Sequence, residues 1–171
     1  PNTLEYIGQR CFCGSALELI RIPSTVEIIE EEAFCRCRKL RSMEFSEGIE
    51  TIGLNAFQET GLGNVVLPAS LRTLGQGAFA MCKGLKTVKF GNGLEMLGSD
   101  EHQKDGKPHY GVFQESALEH VELPLTLRTI KYNAFRGCES LKSIWFPNGL
   151  ESIGRYCFCE SRLKRSSFHR A

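Results

Sequence analysis

The chain has 171 residues, 42% of them hydrophobic and 24% charged, with 21 basic side chains against 20 acidic ones. That length and apolar content suit one domain with a continuous core and exclude a disordered, collagenous or disulfide-dependent miniprotein. The balanced charge removes the electrostatic case for nucleic acid or an anionic membrane, no apolar run is long enough to span a bilayer, and no signal-peptide pattern opens the sequence.

The predicted elements recur along the chain. An alternating segment runs from Leu17 to Ile22 and stops at Pro23; the next runs from Leu40 to Phe45, with Gly48 behind it. Leu62 to Leu67 follows before Pro68, Leu85 to Phe90 before Gly93, Leu118 to Leu123 before Pro124, and Leu141 to Phe146 before Gly149; Leu163 opens one more. The leading leucines stand 23, 22, 23, 33, 23 and 22 residues apart, and the long interval is an ordinary one carrying an insertion of 11. Counting from each leucine, positions four and six are apolar with an exposed position between them, which is strand alternation ended by a Pro or Gly turn. A second, shorter extended stretch, such as Leu-Arg-Thr-Ile at 127–130, turns two further apolar residues toward the same core. Glycine usually follows it (Gly53, Gly75, Gly98, Gly154), where a β-carbon would crowd the turning backbone; Glu30 and Lys131 depart from this.

All eleven phenylalanines fall in two columns. Phe12, Phe34, Phe57, Phe79, Phe113, Phe135 and Phe158 occupy position eighteen, and Phe45, Phe90, Phe146 and Phe168 occupy position six, where they alternate with Ile22, Leu67 and Leu123. Position eleven reads Glu50, Arg72, Glu95, Arg128, Glu151, so stacking in register sets each charge beside an opposite one. Exposed pairs of this kind contribute about 0.2–1 kcal/mol each and select register more than they stabilise. One repeat cannot bury its apolar face alone, and stacking at ~4.8 Å closes the core while pairing the strands in parallel. The fold class is therefore mainly β: about seven stacked repeats of 22–23 residues, with a parallel sheet on one face.

The pattern Leu-x-x-Ile-x-Leu-Pro-x-x-Leu-x-x-Ile-Gly-x-x-Ala-Phe-x-x-Cys, nearly intact from Leu62 to Cys82, resembles the BspA-type leucine-rich repeat. The resemblance extends over nearly the whole chain, with Cys11 and Cys157 replacing the alanine before Phe and an insertion in the fifth repeat. It implies a right-handed leucine-rich-repeat solenoid with non-catalytic roles in adhesion or protein recognition. Residues 1–171 then form one leucine-rich-repeat domain, with residues 100–110 as an inserted polar loop. Neither end carries a recognisable polar cap, which leads us to expect a fragment of a longer array, or end-to-end or intra-array packing that covers the terminal repeats.

No chemistry emerges from the motifs. The Cys-x-Cys pairs at 11–13, 35–37 and 157–159 do not converge as four metal ligands. Cys37, Cys82 and Cys138 share position twenty-one in alternate repeats, too far apart to bridge, and only Cys13 and Cys35 have a spacing compatible with a disulfide. Unpaired thiols lean toward a reducing compartment, whereas the resembled family includes surface proteins, so the compartment stays open. The insertion carries His102, His109, Asp100, Glu101 and Asp105 in no ligand spacing that supports a metal, and a polar excursion is the favoured reading. There is no phosphate loop, no nucleophile elbow and no partnered histidine, so no catalytic, cofactor-binding or metal-binding residue is expected.

The outward side chains of the strands remain. Arg21, Glu44, Val66, Lys89, His120, Glu122 and Trp145 are the candidate partner-binding residues, with Trp145, the only tryptophan, as the leading anchor. The expected function is a non-catalytic module for protein–protein recognition or adhesion, with a protein partner and no cofactor. A structural scaffold packed in a larger assembly is the alternative, and an enzyme or metal site on the inserted loop a distant third.

Overall fold

The structure is a computed structural model that describes residues 3–98 and 110–168. Among the described residues there is no helix, and every ladder is parallel. The inserted segment, including His102, His109, Asp100, Glu101 and Asp105, lies outside the described residues.

Each coil supplies one strand to each of two faces. The first face is built from β2 (Leu19–Arg21), β4 (Ser42–Glu44), β6 (Asn64–Val66), β8 (Thr87–Lys89), β10 (His120–Glu122), β12 (Ser143–Phe146) and β14 (Arg165–Phe168). The second is built from β1 (Tyr6–Ile7), β3 (Ile28–Ile29), β5 (Thr51–Ile52), β7 (Thr73–Leu74), β9 (Met96–Leu97), β11 (Thr129–Ile130) and β13 (Ser152–Ile153). Paired strands keep column register from coil to coil: Val65 faces Val88, Val121 faces Ile144, and Ile52 faces Leu74. The strand ladders break between β4 and β6 on the first face and between β7 and β9 on the second, which divides the two faces into four sheets. The strands are short because the alternating segment is short; Pro or Gly ends each one before a longer ladder can form.

A third side has ladder hydrogen bonds but no strand. The amide of each position-eighteen Phe donates to the residue before the next Phe, from Phe12 N to Ala33 O at 2.8 Å through Phe57 N to Ala78 O at 2.8 Å to Phe135 N to Cys157 O at 2.9 Å. These bonds hold seven rings in one file. Successive centroids lie 5.1, 5.2, 5.2, 5.7, 5.6 and 5.5 Å apart, with interplanar angles of 2–16°. Six steps between seven rungs make about six turns, close to the seven repeats read from the sequence. The five inner rings, Phe34, Phe57, Phe79, Phe113 and Phe135, are fully buried.

The position-six phenylalanines do not form a second stacked file. Phe45, Phe90 and Phe146 each set an edge against the position-eighteen ring of the same coil (Phe57, Phe113, Phe158) at 5.5–6.1 Å and 78–89°. Ile22, Leu67 and Leu123 are buried in the coils between them, so large and small side chains alternate along that column. Phe45 and Phe90 are only half-buried.

The glycine after the second strand is required by close approach. A β-carbon on Gly75 would lie 2.6 Å from the carbonyl carbon of Gly53 in the preceding coil, and one on Gly154 would meet Lys131 and Tyr132 backbone in the same way. The position-eleven charges behave less simply than their order implies. Arg128 pairs with Glu151 at 3.7 Å, but the Arg72 and Arg128 guanidinium groups also donate to the carbonyls of Gly93 and Gly149, at 3.3 and 3.2 Å. An outward-pointing arginine on a coil is long enough to reach the next coil's turn, where a free carbonyl competes with the carboxylate.

Candidate recognition surface

Six of the seven candidate residues fall in one row. Arg21, Glu44, Val66, Lys89, Glu122 and Trp145 occupy position five of successive coils, all exposed on the first face. Read along the stack, the row is basic, acidic, apolar, then basic, acidic, aromatic. Val66 and Trp145 are 62% and 46% exposed, three rungs apart, or roughly 14 Å at the strand spacing. Arg21 and Glu44 are partners across a rung, Nε to Oε2 at 3.1 Å with both side chains mostly exposed, a geometry that contributes little to stability.

The seventh candidate, His120, belongs to the neighbouring row at position three. Its Nδ1 lies 2.7 Å from Ser143 Oγ, and Thr87 Oγ1 donates to Asn64 Oδ1 at 2.6 Å one step along. The position-three row thus satisfies part of its hydrogen bonding within itself, while position five presents charge and apolar area outward. Beside the centre of that row, Val88, Lys89, Phe90, Asn92, Glu122, Leu123, Pro124 and Leu125 line a hollow of about 460 Å³. Leu125, 63% exposed at its rim, was not singled out from sequence, because position eight is otherwise a turn position with no pattern. On the flank next to the sheet, Lys142 Nζ lies 2.6 Å from a Glu119 oxygen and holds that carboxyl below the ordinary range.

A larger hollow, about 630 Å³, lies on the second face at its last rung, where Ile153 and Tyr156 are exposed. The Oδ1 of Asn133, which lines it, is buried without a hydrogen-bond partner among the described residues.

The thiols sort as the columns require. All eight cysteines are free. Cys37, Cys82 and Cys138 donate to the carbonyls of Phe12, Phe57 and Phe113 at 2.9, 3.1 and 3.1 Å, with Ser15, Thr60 and Ser116 hydroxyls beside them. Burial pushes the Cys82 and Cys138 thiols up to about 11. These are structural thiols that close the turn of each alternate coil. Cys13 and Cys35 sit side by side, unbridged, with the Glu32 carboxylate against them. No column of the repeat marks that carboxylate, because it arrives from a turn three residues before Cys35.

Residues 5–104 and 109–171 match the family model for the BspA type leucine rich repeat region, in six copies. The chain belongs to that family. BspA-type repeats are associated with protein interaction and surface-protein roles, and leucine-rich-repeat solenoids are generally non-catalytic. Among curated proteins none matches the chain. Solved structures with the same fold include a leucine-rich repeat protein from Bacteroides ovatus, 24% identical with a TM-score of 0.69, covering 94% of this chain and 45% of that one. A leucine rich cell surface protein from Faecalibacterium prausnitzii is 22% identical with a TM-score of 0.65, over 100% of this chain and 53% of that one. The pneumococcal vaccine antigen PcpA is 29% identical with a TM-score of 0.61, over 96% of this chain and 42% of that one. This BspA-type chain spans about half the length of the solved proteins it matches. Among its described residues no helix is long and apolar enough to cross a membrane.

Proposed function

We propose that this BspA-type segment is a non-catalytic recognition module whose position-five row contacts a protein partner. The observation that supports the reading is the row itself: Arg21, Glu44, Val66, Lys89, Glu122 and Trp145 are exposed at position five of successive coils, with apolar side chains three rungs apart and a basic and an acidic residue before each. Extended repeat surfaces bind by spreading contacts over many rungs, with an aromatic residue as anchor and flanking charges setting specificity and on-rate. One structural relative is described as a cell surface protein, a setting in which such a face would be open to partners.

Affinity capture on the immobilised chain tests this, with bound proteins quantified for the parent, Trp145→Ala and Glu122→Lys. Proteins retained by the parent and reduced about tenfold or more by either variant are the expected result. An identical retained set for all three sinks the recognition row and leaves the scaffold reading, in which this segment spaces or packs other parts of an assembly.

A further inference from the structure

We propose that Cys13, Glu32 and Cys35 form a binding site for a thiophilic divalent cation of the zinc type, clamping two adjacent coils. The Sγ atoms of Cys13 and Cys35 and a Glu32 carboxylate oxygen all lie within 4.8 Å of one another. A tetrahedral zinc, with bonds of about 2.3 Å to sulfur and about 2.0–2.2 Å to oxygen, needs ligand atoms under about 4 Å apart. Small side-chain rotations therefore close the set.

The repeat does not account for this cluster. Position nineteen reads Cys13, Cys35, Gln58, Ala80, Gln114, Arg136, Cys159, and position sixteen reads Arg10, Glu32, Asn55, Gly77, Gly111, Asn133, Tyr156. Two thiols on neighbouring rungs meet a carboxylate at one place only in those columns. The backbone is fixed on both sides of it: Gly14 N donates to Cys35 O at 2.8 Å, Glu32 N donates to Leu54 O at 2.9 Å, and Cys35 N donates back to Glu32 O at 3.0 Å. Glu32 is held at φ 54°, a left-handed conformation that turns its side chain across the coil edge.

The surroundings complete a coordination shell. Arg10 Nε donates to Glu32 Oε2 at 2.7 Å, orienting the carboxylate as outer-shell partners of metal ligands do. Gln58 Oε1 accepts from Cys35 Sγ at 3.8 Å and is placed as an oxygen donor for the fourth position, which water can otherwise fill because Cys13 is exposed. Two thiolates and one carboxylate balance a divalent cation and the Arg10 guanidinium. Without a cation, burial and then the neighbouring Cys13 and Glu32 charges push the Cys35 thiol up to about 12; a bound cation reverses that field, and two thiol protons leave to solvent.

The test uses the full 171-residue chain, kept reduced and stripped of metal, titrated with Co²⁺ and then with Zn²⁺. One equivalent of Co²⁺ should produce thiolate-to-cobalt charge-transfer absorption that Zn²⁺ abolishes, and Zn²⁺ should raise Tm. Cys13→Ser, an exposed position whose folding is checked by circular dichroism, should weaken binding about tenfold or more and remove the Tm shift. Cys159→Ser, exposed in the same column at the other end, should change neither. No charge-transfer band, or an undiminished one in Cys13→Ser, overturns the site. So does a reduced chain whose only bound cobalt lacks sulfur ligation.

Discussion

The rings of Phe79 and Phe113 stack at 5.7 Å and 10°, one rung apart in space although 34 residues separate them in sequence. Phe57 and Phe79, 22 residues apart, stack at 5.2 Å. The eleven extra residues fall between Gly98, at position fourteen, and Tyr110, at position fifteen, and the ring file is unbroken across them. Removing residues 99–109 joins those two positions into an ordinary 22-residue repeat. The shortened chain should keep its stability within about 1 kcal/mol, a Tm change of about 2–4 °C by thermal denaturation. Failure to fold would show that the excursion supports the stack.

Side chains in the file and on the row should respond oppositely. Phe79→Ala removes a fully buried ring with partners on both faces and should cost about 3–5 kcal/mol in urea denaturation. Trp145→Ala, half-exposed between Glu122 and Ser167, should cost about 1 kcal/mol or less. A large loss from Trp145→Ala would make that residue part of the packing and not a surface anchor.

Ten non-glycine residues hold positive φ at two positions of the coil: Arg10, Glu32, Asn55, Asn133 and Tyr156 at sixteen, and Arg36, Glu59, Met81, Glu115 and Glu160 at twenty. Gly77 at sixteen and Gly14 and Gly137 at twenty show the same conformation, whereas Gly111 at sixteen does not. Left-handed backbone costs an ordinary residue about 1–2 kcal/mol. Arg36→Gly gives up only an exposed 3.6 Å contact with Glu59, whose stronger partner is Arg38 at 2.7 Å, and should stabilise the chain by about 0.5–1 kcal/mol. Gly77→Ala should do the reverse, since φ is +66° and the new β-carbon collides with the Asn55 side chain. Denaturant midpoints for the two variants shifting in the same direction would contradict this account.

Alkaline pH should weaken the fold through its buried thiols. Burial raises the Cys82 and Cys138 thiols to about 11 from an ordinary value near 9, so well below pH 9 each of the two stays protonated in folded and unfolded chain alike. Between pH 9 and 11 only the unfolded thiols ionise, and each subtracts about 1.4 kcal/mol of stability per pH unit. Tm measured under reductant from pH 8 to 10.5 should fall, and less steeply in Cys82→Ser. A slope unchanged by that substitution would remove the thiol from the explanation.

The interior was legible because its columns repeat: Phe at eighteen, apolar residues at four, ten and thirteen, and a glycine where the backbone of one coil touches the next at Gly75. Six outward residues were also placed in a row by counting alone. The left-handed positions were not legible, because glutamate, arginine and methionine carry no sign of a positive φ, and the requirement comes from a turn whose amides must reach the next coil. The edge-on seats of Phe45, Phe90 and Phe146 were missed for a related reason, since a column fixes which residue is inside but not the tilt of its ring.

The sequence by itself determined the repeat, the parallel stacking and the identity of the core, because each added coil must bury the same face against the same neighbour. Only the tertiary structure decided which unlike residues meet between coils, such as Glu32 beside Cys13 and Cys35, or Arg72 on the Gly93 carbonyl. Residues some twenty positions apart become neighbours at about 5 Å only when the coil closes, and side chains outside the periodic columns have no pattern that announces it.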